Sequence, residues 1–127
     1  MNHLNKLIYV LVIFIAMSSL AFGGEKVQLT DKVVDFYGYG KNFIAGDELT
    51  IYDPDGVLCG KYIIEKDRQY GFVHVYGDDK TDIYNDIDEG AETNDILTFY
   101  LNGIEISQAN GEPIIWTNEG ASLRVDF

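Results

Sequence analysis

Short runs of β-branched and aromatic residues recur along this 127-residue chain, and turn residues interrupt them at short intervals. From residue 33 onwards, Val, Ile, Thr, Tyr and Phe fill most apolar positions, while Gly, Asn and Asp separate the runs. No segment of this part keeps a 3.6-residue apolar period for long enough to indicate a helix. Regularly spaced short strands are typical of sandwiches and barrels, so the pattern predicts an all-β fold.

The runs predict a single antiparallel β-sandwich of approximately seven strands, which is consistent with an immunoglobulin-like sandwich or with the prealbumin-like one that the resemblance described below implies. Two turn signals separate neighbouring strands: DPDG at 53–56, where Pro fixes φ and Gly accepts a positive φ, and NG at 102–103, which favours a type I′ hairpin. Alternation in strand 70–76 places Val73 and Val75 on one face. The other predicted strands span residues 33–37, 48–52, 57–65, 96–101, 104–107 and 114–117, before a closing stretch at 122–127.

The first 23 residues are predicted to be a secretory signal peptide. Lys6 precedes an apolar run at 7–17, and small residues follow it, which is the order of a signal peptide. The run is short for a spanning helix, which needs about 20 apolar residues, but a retained membrane anchor is the alternative. The sequence therefore predicts a signal peptide at 1–23 and a β-sandwich domain at 24–127. The protein would be secreted or at the cell surface, with membrane contact only through an uncleaved signal segment.

The chain is strongly acidic, with a formal net charge of −12. Nucleic acids and anionic membrane surfaces repel such a chain, so no nucleic-acid partner is predicted. A single cysteine, Cys59, excludes an intramolecular disulfide. Its favoured interpretation is a buried thiol on a strand, and the alternative is an intermolecular disulfide or a reactive thiol.

An acidic stretch at 78–95 joins two predicted strands and is the candidate site. Calcium takes about six to eight oxygen ligands, which such a stretch offers. The order DIDEG at 86–90 does not match an EF-hand loop, because its Gly comes one residue early and no Glu closes the loop at the required distance. The sequence predicts an irregular calcium site, and a solvated acidic loop is the alternative. The predicted ligands are Asp82, Asp86, Asp88, Asp79 and Asp95.

Aromatic residues raise carbohydrate or peptide binding as an alternative function. Exposed rings stack on sugar faces, yet Tyr is also an ordinary strand residue with a strong β propensity, and packing is the favoured interpretation. Trp116 is predicted to be a buried anchor between sheets. The candidate rings are Tyr37, Tyr39, Phe43, Tyr52, Tyr62, Tyr70 and Tyr84.

Catalytic motifs are absent from the sequence, which has no G-x-S-x-G, no H-E-x-x-H and no P-loop. His74 forms no motif with Cys59 or Ser107. Paired carboxylates for glycoside hydrolysis would need a cleft and one raised pKa. The sequence predicts a non-enzyme, and a small secreted hydrolase is the least favoured alternative. Open sheet edges leave strand addition or self-assembly as another class of function.

Three stretches, AGDELTIYDPDGVLCGKY, QYGFVHVYGDD and ILTFYLNGIE, precede Trp116 and a closing strand. Together they resemble the carboxypeptidase-regulatory-like, prealbumin-like modules of exported bacterial and archaeal surface proteins, over residues 33–127. The resemblance implies a non-catalytic module with a binding or scaffolding role at the cell surface, and an unknown protein or glycan as its partner. Those modules usually sit beside catalytic, adhesive or dockerin-bearing domains, whereas this one directly follows its predicted signal segment.

Overall fold

The computed structural model describes residues 25–79 and 88–127, and the predicted signal peptide lies outside these ranges. The described residues form eight β-strands and no helix, which confirms the all-β prediction. They therefore include no helix that could cross a bilayer. In chain order the strands are β1 (Val33–Tyr39), β2 (Glu48–Tyr52), β3 (Leu58–Ile63), β4 (Gln69–Tyr76), β5 (Asp95–Leu101), β6 (Ile104–Ile106), β7 (Ile114–Trp116) and β8 (Ser122–Arg124).

The strands are arranged in two sheets. One has the order β4-β1-β8, and the other has the order β3-β2-β5-β6, with β7 also paired to β5. Neighbouring strands are antiparallel except for β1 and β8, which pair in parallel. Strands β2 and β5 are thus interior strands, with a partner on each side.

One hydrophobic core lies between the two sheets. Phe36 of β1 and Phe99 of β5 meet edge to face, with ring centroids 5.6 Å apart. Trp116 of β7 is buried and its Nε1–H donates to the carbonyl oxygen of Val75 on β4, at 2.9 Å. Trp116 therefore joins the two sheets, as the sequence predicts, and Val73 is buried beside Val75 on the predicted face.

Local backbone geometry explains why the two turn signals work. Asn102 and Gly103, between β5 and β6, both have positive φ, at 50° and 79°. Gly56, between β2 and β3, has a φ of 80° that suits a residue without a Cβ. The β2–β3 turn begins at Asp53, directly after the end of β2.

The end of the acidic stretch is fixed against the end of β4. Gly77 and Ala91 form a parallel bridge, in which the N–H of Asp78 donates to the Ala91 carbonyl at 2.8 Å. Gly90 packs so closely here that a Cβ on it would lie 2.2 Å from the carbonyl oxygen of Tyr76. This packing positions Asp88, two residues before Gly90, at the same end of the molecule as the β2–β3 turn.

Candidate metal centre

Three carboxylates from two separate parts of the chain meet at this end of the fold. Asp53 and Asp55 belong to the β2–β3 turn, whereas Asp88 precedes the bridge to β4. One oxygen from each lies within 4.8 Å of the others, so the three side chains could hold a metal ion. We call this group the Asp triad.

Asp53 is the buried member of the triad, with 4% of its surface exposed. Its Oδ1 accepts hydrogen bonds from the N–H groups of Asp55, at 2.9 Å, and Val57, at 2.8 Å. Its main chain also closes the turn, since its N–H donates to the Val57 carbonyl and its carbonyl accepts from the N–H of Gly56. The turn therefore fixes the carboxylate in place.

The second oxygen of Asp53, Oδ2, is buried and has no hydrogen-bond partner among the described residues. A buried polar group that lacks a partner costs about 1–3 kcal/mol, and more when it is charged. This observation is separate from the abundance of acidic residues in the stretch 78–95. The Oδ2 oxygen is what a bound cation would satisfy.

Among the described residues, burial and neighbouring carboxylates dominate the electrostatics of the triad. Burial raises the pKa of Asp53, and the charge of Asp88 raises it further, against the opposing effect of the two N–H donors. Burial likewise raises the pKa of Asp88, helped by the charges of Asp78 and Asp55. Two like charges 4 Å apart near a protein surface repel by about 4 kcal/mol. A divalent cation would convert this repulsion into attraction.

The donor set is composed of carboxylate oxygens. Hard cations such as calcium and magnesium prefer oxygen ligands, whereas copper and zinc prefer sites with imidazole or thiolate. Calcium accepts carboxylates through one or both oxygens, in flexible geometry, with waters completing the shell. The triad therefore fits a hard divalent cation.

The triad contains one of the ligands predicted from the sequence, Asp88. Asp79 and Asp95 are not members of it, and the Asp95 carboxylate accepts the N–H of Glu92 at 2.8 Å. Asp82 and Asp86 lie outside the described residues. The prediction of those four ligands therefore stays a prediction.

The sequence-based prediction does not include Asp53 and Asp55, because the DPDG segment at 53–56 predicts a turn alone. That interpretation is right for the backbone but incomplete for the side chains. The signal that was available is the DxD spacing in DPDG, which places two carboxylates on one tight turn. Nothing in the sequence indicates that this turn meets Asp88.

The candidate aromatic residues divide between core and surface. Phe43 and Tyr70 are buried, and Tyr70 Oη donates to the Val125 carbonyl at 2.7 Å, so these two rings are core residues. Tyr39 is 46% exposed on β1. Tyr37, Tyr52 and Tyr62 are half-buried, and Tyr84 lies outside the described ranges.

Cys59 and His74, the two candidate side chains for nucleophilic chemistry, each have a partner among the described residues. Cys59 is fully buried, its Sγ–H donates to the Val57 carbonyl, and burial raises its pKa to about 12. The thiol therefore stays protonated at neutral pH and is not an activated nucleophile. His74 Nδ1 contacts the Asp35 carboxylate on the neighbouring strand.

Comparisons with known proteins do not assign a family to this chain. No family model, curated protein or solved structure matches it. The geometry of the described residues is therefore the basis for assigning a function.

Proposed function

We propose that this protein is a non-catalytic, exported β-sandwich module with a binding or scaffolding role at the cell surface, and that calcium bound by the Asp triad stabilises one end of it. The observation that carries the proposal is the buried Oδ2 of Asp53, which has no partner in the described part of the chain and lies in a group with two further carboxylates. A structural carboxylate would be expected to have both oxygens satisfied. A metal ligand retains an oxygen for the ion.

The module role is supported by the fold and by the sequence. Two sheets around one core agree with a prealbumin-like or immunoglobulin-like sandwich, and the resemblance to surface-protein modules covers the same residues. The predicted signal segment at 1–23 suits an extracytoplasmic location. The protonated state of Cys59 argues against thiol catalysis.

Calcium is favoured over magnesium because of how the triad is built. Magnesium demands near-ideal octahedral geometry and dehydrates reluctantly, whereas calcium tolerates irregular groups of carboxylates. The triad combines one fixed carboxylate, Asp53, with two exposed ones that can adjust around a larger ion. Extracellular modules bind calcium with dissociation constants of about 10⁻⁴ to 10⁻³ M.

Thermal unfolding of the protein in calcium, in magnesium and in chelator tests the proposal. At 10 mM calcium, those dissociation constants correspond to about 1.4–2.7 kcal/mol of stabilisation. For a domain of this size we expect calcium to raise the melting temperature by at least about 5 °C relative to chelator. Magnesium should give a smaller shift at the same concentration.

Asp88→Asn and Asp31→Asn are a matched pair for this experiment. Each removes one negative charge, but Asp31 is an exposed residue outside the triad. We expect Asp88→Asn to abolish the calcium shift and Asp31→Asn to preserve it. Equal melting temperatures in calcium and chelator, or equal calcium shifts in the two variants, would contradict the proposed site.

A further inference from the structure

A hollow lies on the outer face of the larger sheet, on strands β2 and β5. Thr50 pairs with Tyr100 and Tyr52 pairs with Thr98, and all four side chains line the hollow. Its volume is about 540 Å³, within the range of small-molecule sites. We call this surface the Tyr/Thr hollow.

The two tyrosine rings form a corner in the hollow. The centroids of Tyr52 and Tyr100 lie 5.4 Å apart, and the ring planes are nearly perpendicular, at 88°. Tyr52 Oη donates to Oε2 of Glu25 at 2.6 Å, which fixes one ring. A half-exposed tyrosine offers a rigid, amphipathic contact surface and loses little conformational entropy on binding.

Hydroxyl groups surround this aromatic corner. Among the described residues, the hydroxyls of Thr50, Thr98 and Tyr100 have no protein hydrogen-bond partner. Each of them can both donate and accept a hydrogen bond. The hollow therefore combines aromatic surface with uncommitted polar groups.

The hollow is uncharged at its centre, although the chain carries a net charge of −12. The one acidic residue in its lining, Asp53, is buried. At its rim, Lys61 pairs with Thr50 and lies 3.7 Å from the Glu48 carboxylate, while Glu105 pairs with Tyr100. With Glu25 beside Tyr52, the flanking charges are mostly acidic. Such a surface does not attract an anion, and the field of the whole chain repels one.

Added peptide strands do not suit this surface. β-strand addition uses the unpaired backbone of an edge strand, but β2 and β5 are both paired on each side. Recognition in the hollow must therefore use side chains. Flat ligands rich in hydroxyls, with one apolar face, match the aromatic corner and the free hydroxyls together.

We propose that the Tyr/Thr hollow binds a neutral saccharide, whose apolar ring face stacks on Tyr52 or Tyr100 while its hydroxyls bond to Thr50, Thr98 and Tyr100. The saccharide would be the ligand of the binding role proposed above, on which this inference rests. The binding surface is distinct from the Asp triad except for Asp53, whose turn borders the hollow.

A printed array of neutral and acidic oligosaccharides, followed by affinity electrophoresis through gels containing the soluble polymer of the best hit, tests the site. We expect neutral glycans to bind, and Tyr100→Ala to weaken retention at least tenfold. Tyr100→Phe, which keeps the ring and loses the hydroxyl, should show an intermediate loss. The control is Tyr39→Ala, which removes an exposed tyrosine from the other sheet and should bind as the natural protein does. Melting temperatures of all variants show that each is folded.

Binding to no neutral glycan, binding to acidic glycans alone, or equal retention of natural protein and Tyr100→Ala would overturn the inference. The calcium shift is measured on the same preparations. A calcium shift without glycan binding overturns the saccharide site alone. Glycan binding through Tyr100 without a calcium shift supports the hollow and contradicts the cation site.

Discussion

The two oxygens of the Asp53 carboxylate have different environments. Oδ1 holds the β2–β3 turn through two N–H donors, while Oδ2 is buried with no partner among the described residues. Turn formation by the side chain of an Asp accounts for the first oxygen. It does not account for the second, and proximity to Asp55 and Asp88 makes the charge unfavourable without a cation.

Replacement of Asp53 by Asn should lower the stability of the protein in calcium but not in chelator. Asn retains an oxygen for the turn, removes the buried charge, and its amide can donate to the neighbouring carboxylates. In chelator we expect the free energy of unfolding to stay equal or to rise by about 1–3 kcal/mol. In 10 mM calcium the variant should be less stable than the natural protein. Urea denaturation in both buffers measures this, and a variant that is less stable in chelator yet still stabilised by calcium would contradict it.

Asp126 makes a pH-dependent contribution to the stability of the fold, away from the Asp triad. The N–H of Tyr39 donates to its Oδ1 at 2.8 Å and lowers its pKa, and Arg124 contributes in the same direction. Because the folded pKa lies below the unfolded value of about 3.9, the stabilisation is complete above that value and is lost as pH falls through the folded pKa.

Asp126→Asn should therefore lower the free energy of unfolding at pH 7, and the deficit should shrink below about pH 4. Urea denaturation at pH 7, 5 and 3 measures the difference between variant and natural protein. A deficit of the same size at pH 7 and pH 3 would show that the charge of Asp126 is not responsible.

At the scale of elements, the features that depend on local backbone geometry are predictable from the sequence. The DPDG and NG turns were predictable because Gly56, Asn102 and Gly103 adopt positive φ within each turn itself. Strand β2 has the predicted bounds, 48–52, since alternating apolar residues and flanking turn residues define it. The closing stretch was harder to delimit, because β8 covers only three residues and pairs in parallel with the distant β1.

The meeting of the three residues of the Asp triad could not be predicted from the sequence. Asp53 and Asp88 are 35 positions apart, and they meet because residues 77 and 91 pair across a bridge that no local pattern announces. The acidic excess predicts a cation site and includes one member of the triad, Asp88. The other two members belong to a turn, and only the bridge shows that their side chains lie near Asp88.

Gly90→Ala should disturb both stability and cation binding, since the new Cβ would lie 2.2 Å from the Tyr76 carbonyl oxygen. The segment must shift, and Asp88 would shift with it. We expect a loss of more than about 1 kcal/mol in unfolding free energy and a smaller calcium shift. Gly111→Ala is the control, because nothing lies within 4 Å of its added carbon and only its φ of 76° is strained. A full calcium shift in Gly90→Ala would show that this packing does not position the site.

At the scale of the whole molecule, contacts across a single core hold the two sheets together. Phe36 and Phe99 meet in its centre, and Trp116 adds a hydrogen bond across to Val75. The strong negative charge opposes compactness, so calcium and screening ions should both favour the folded state. The Tyr/Thr hollow and the Asp triad both border the β2–β3 turn, which the interior strand β2 supports.

Phe99→Ala should lower the free energy of unfolding by about 3–5 kcal/mol, because it removes a fully buried ring that contacts the opposite sheet. Thr98→Ala, at the next position on the outer face, should cost about 1 kcal/mol or less. Urea denaturation of both variants gives the comparison. Similar losses in the two would contradict the assignment of inner and outer faces to β5.

Isothermal titration of calcium into chelator-treated protein is the most direct measurement of the central claim. We expect one calcium ion per Asp triad, with a dissociation constant of about 10⁻⁴ to 10⁻³ M, and loss of this binding in Asp53→Asn and Asp88→Asn but not in Asp31→Asn. Absence of calcium binding in the natural protein, or undiminished binding in Asp53→Asn, would contradict a metal centre at the Asp triad.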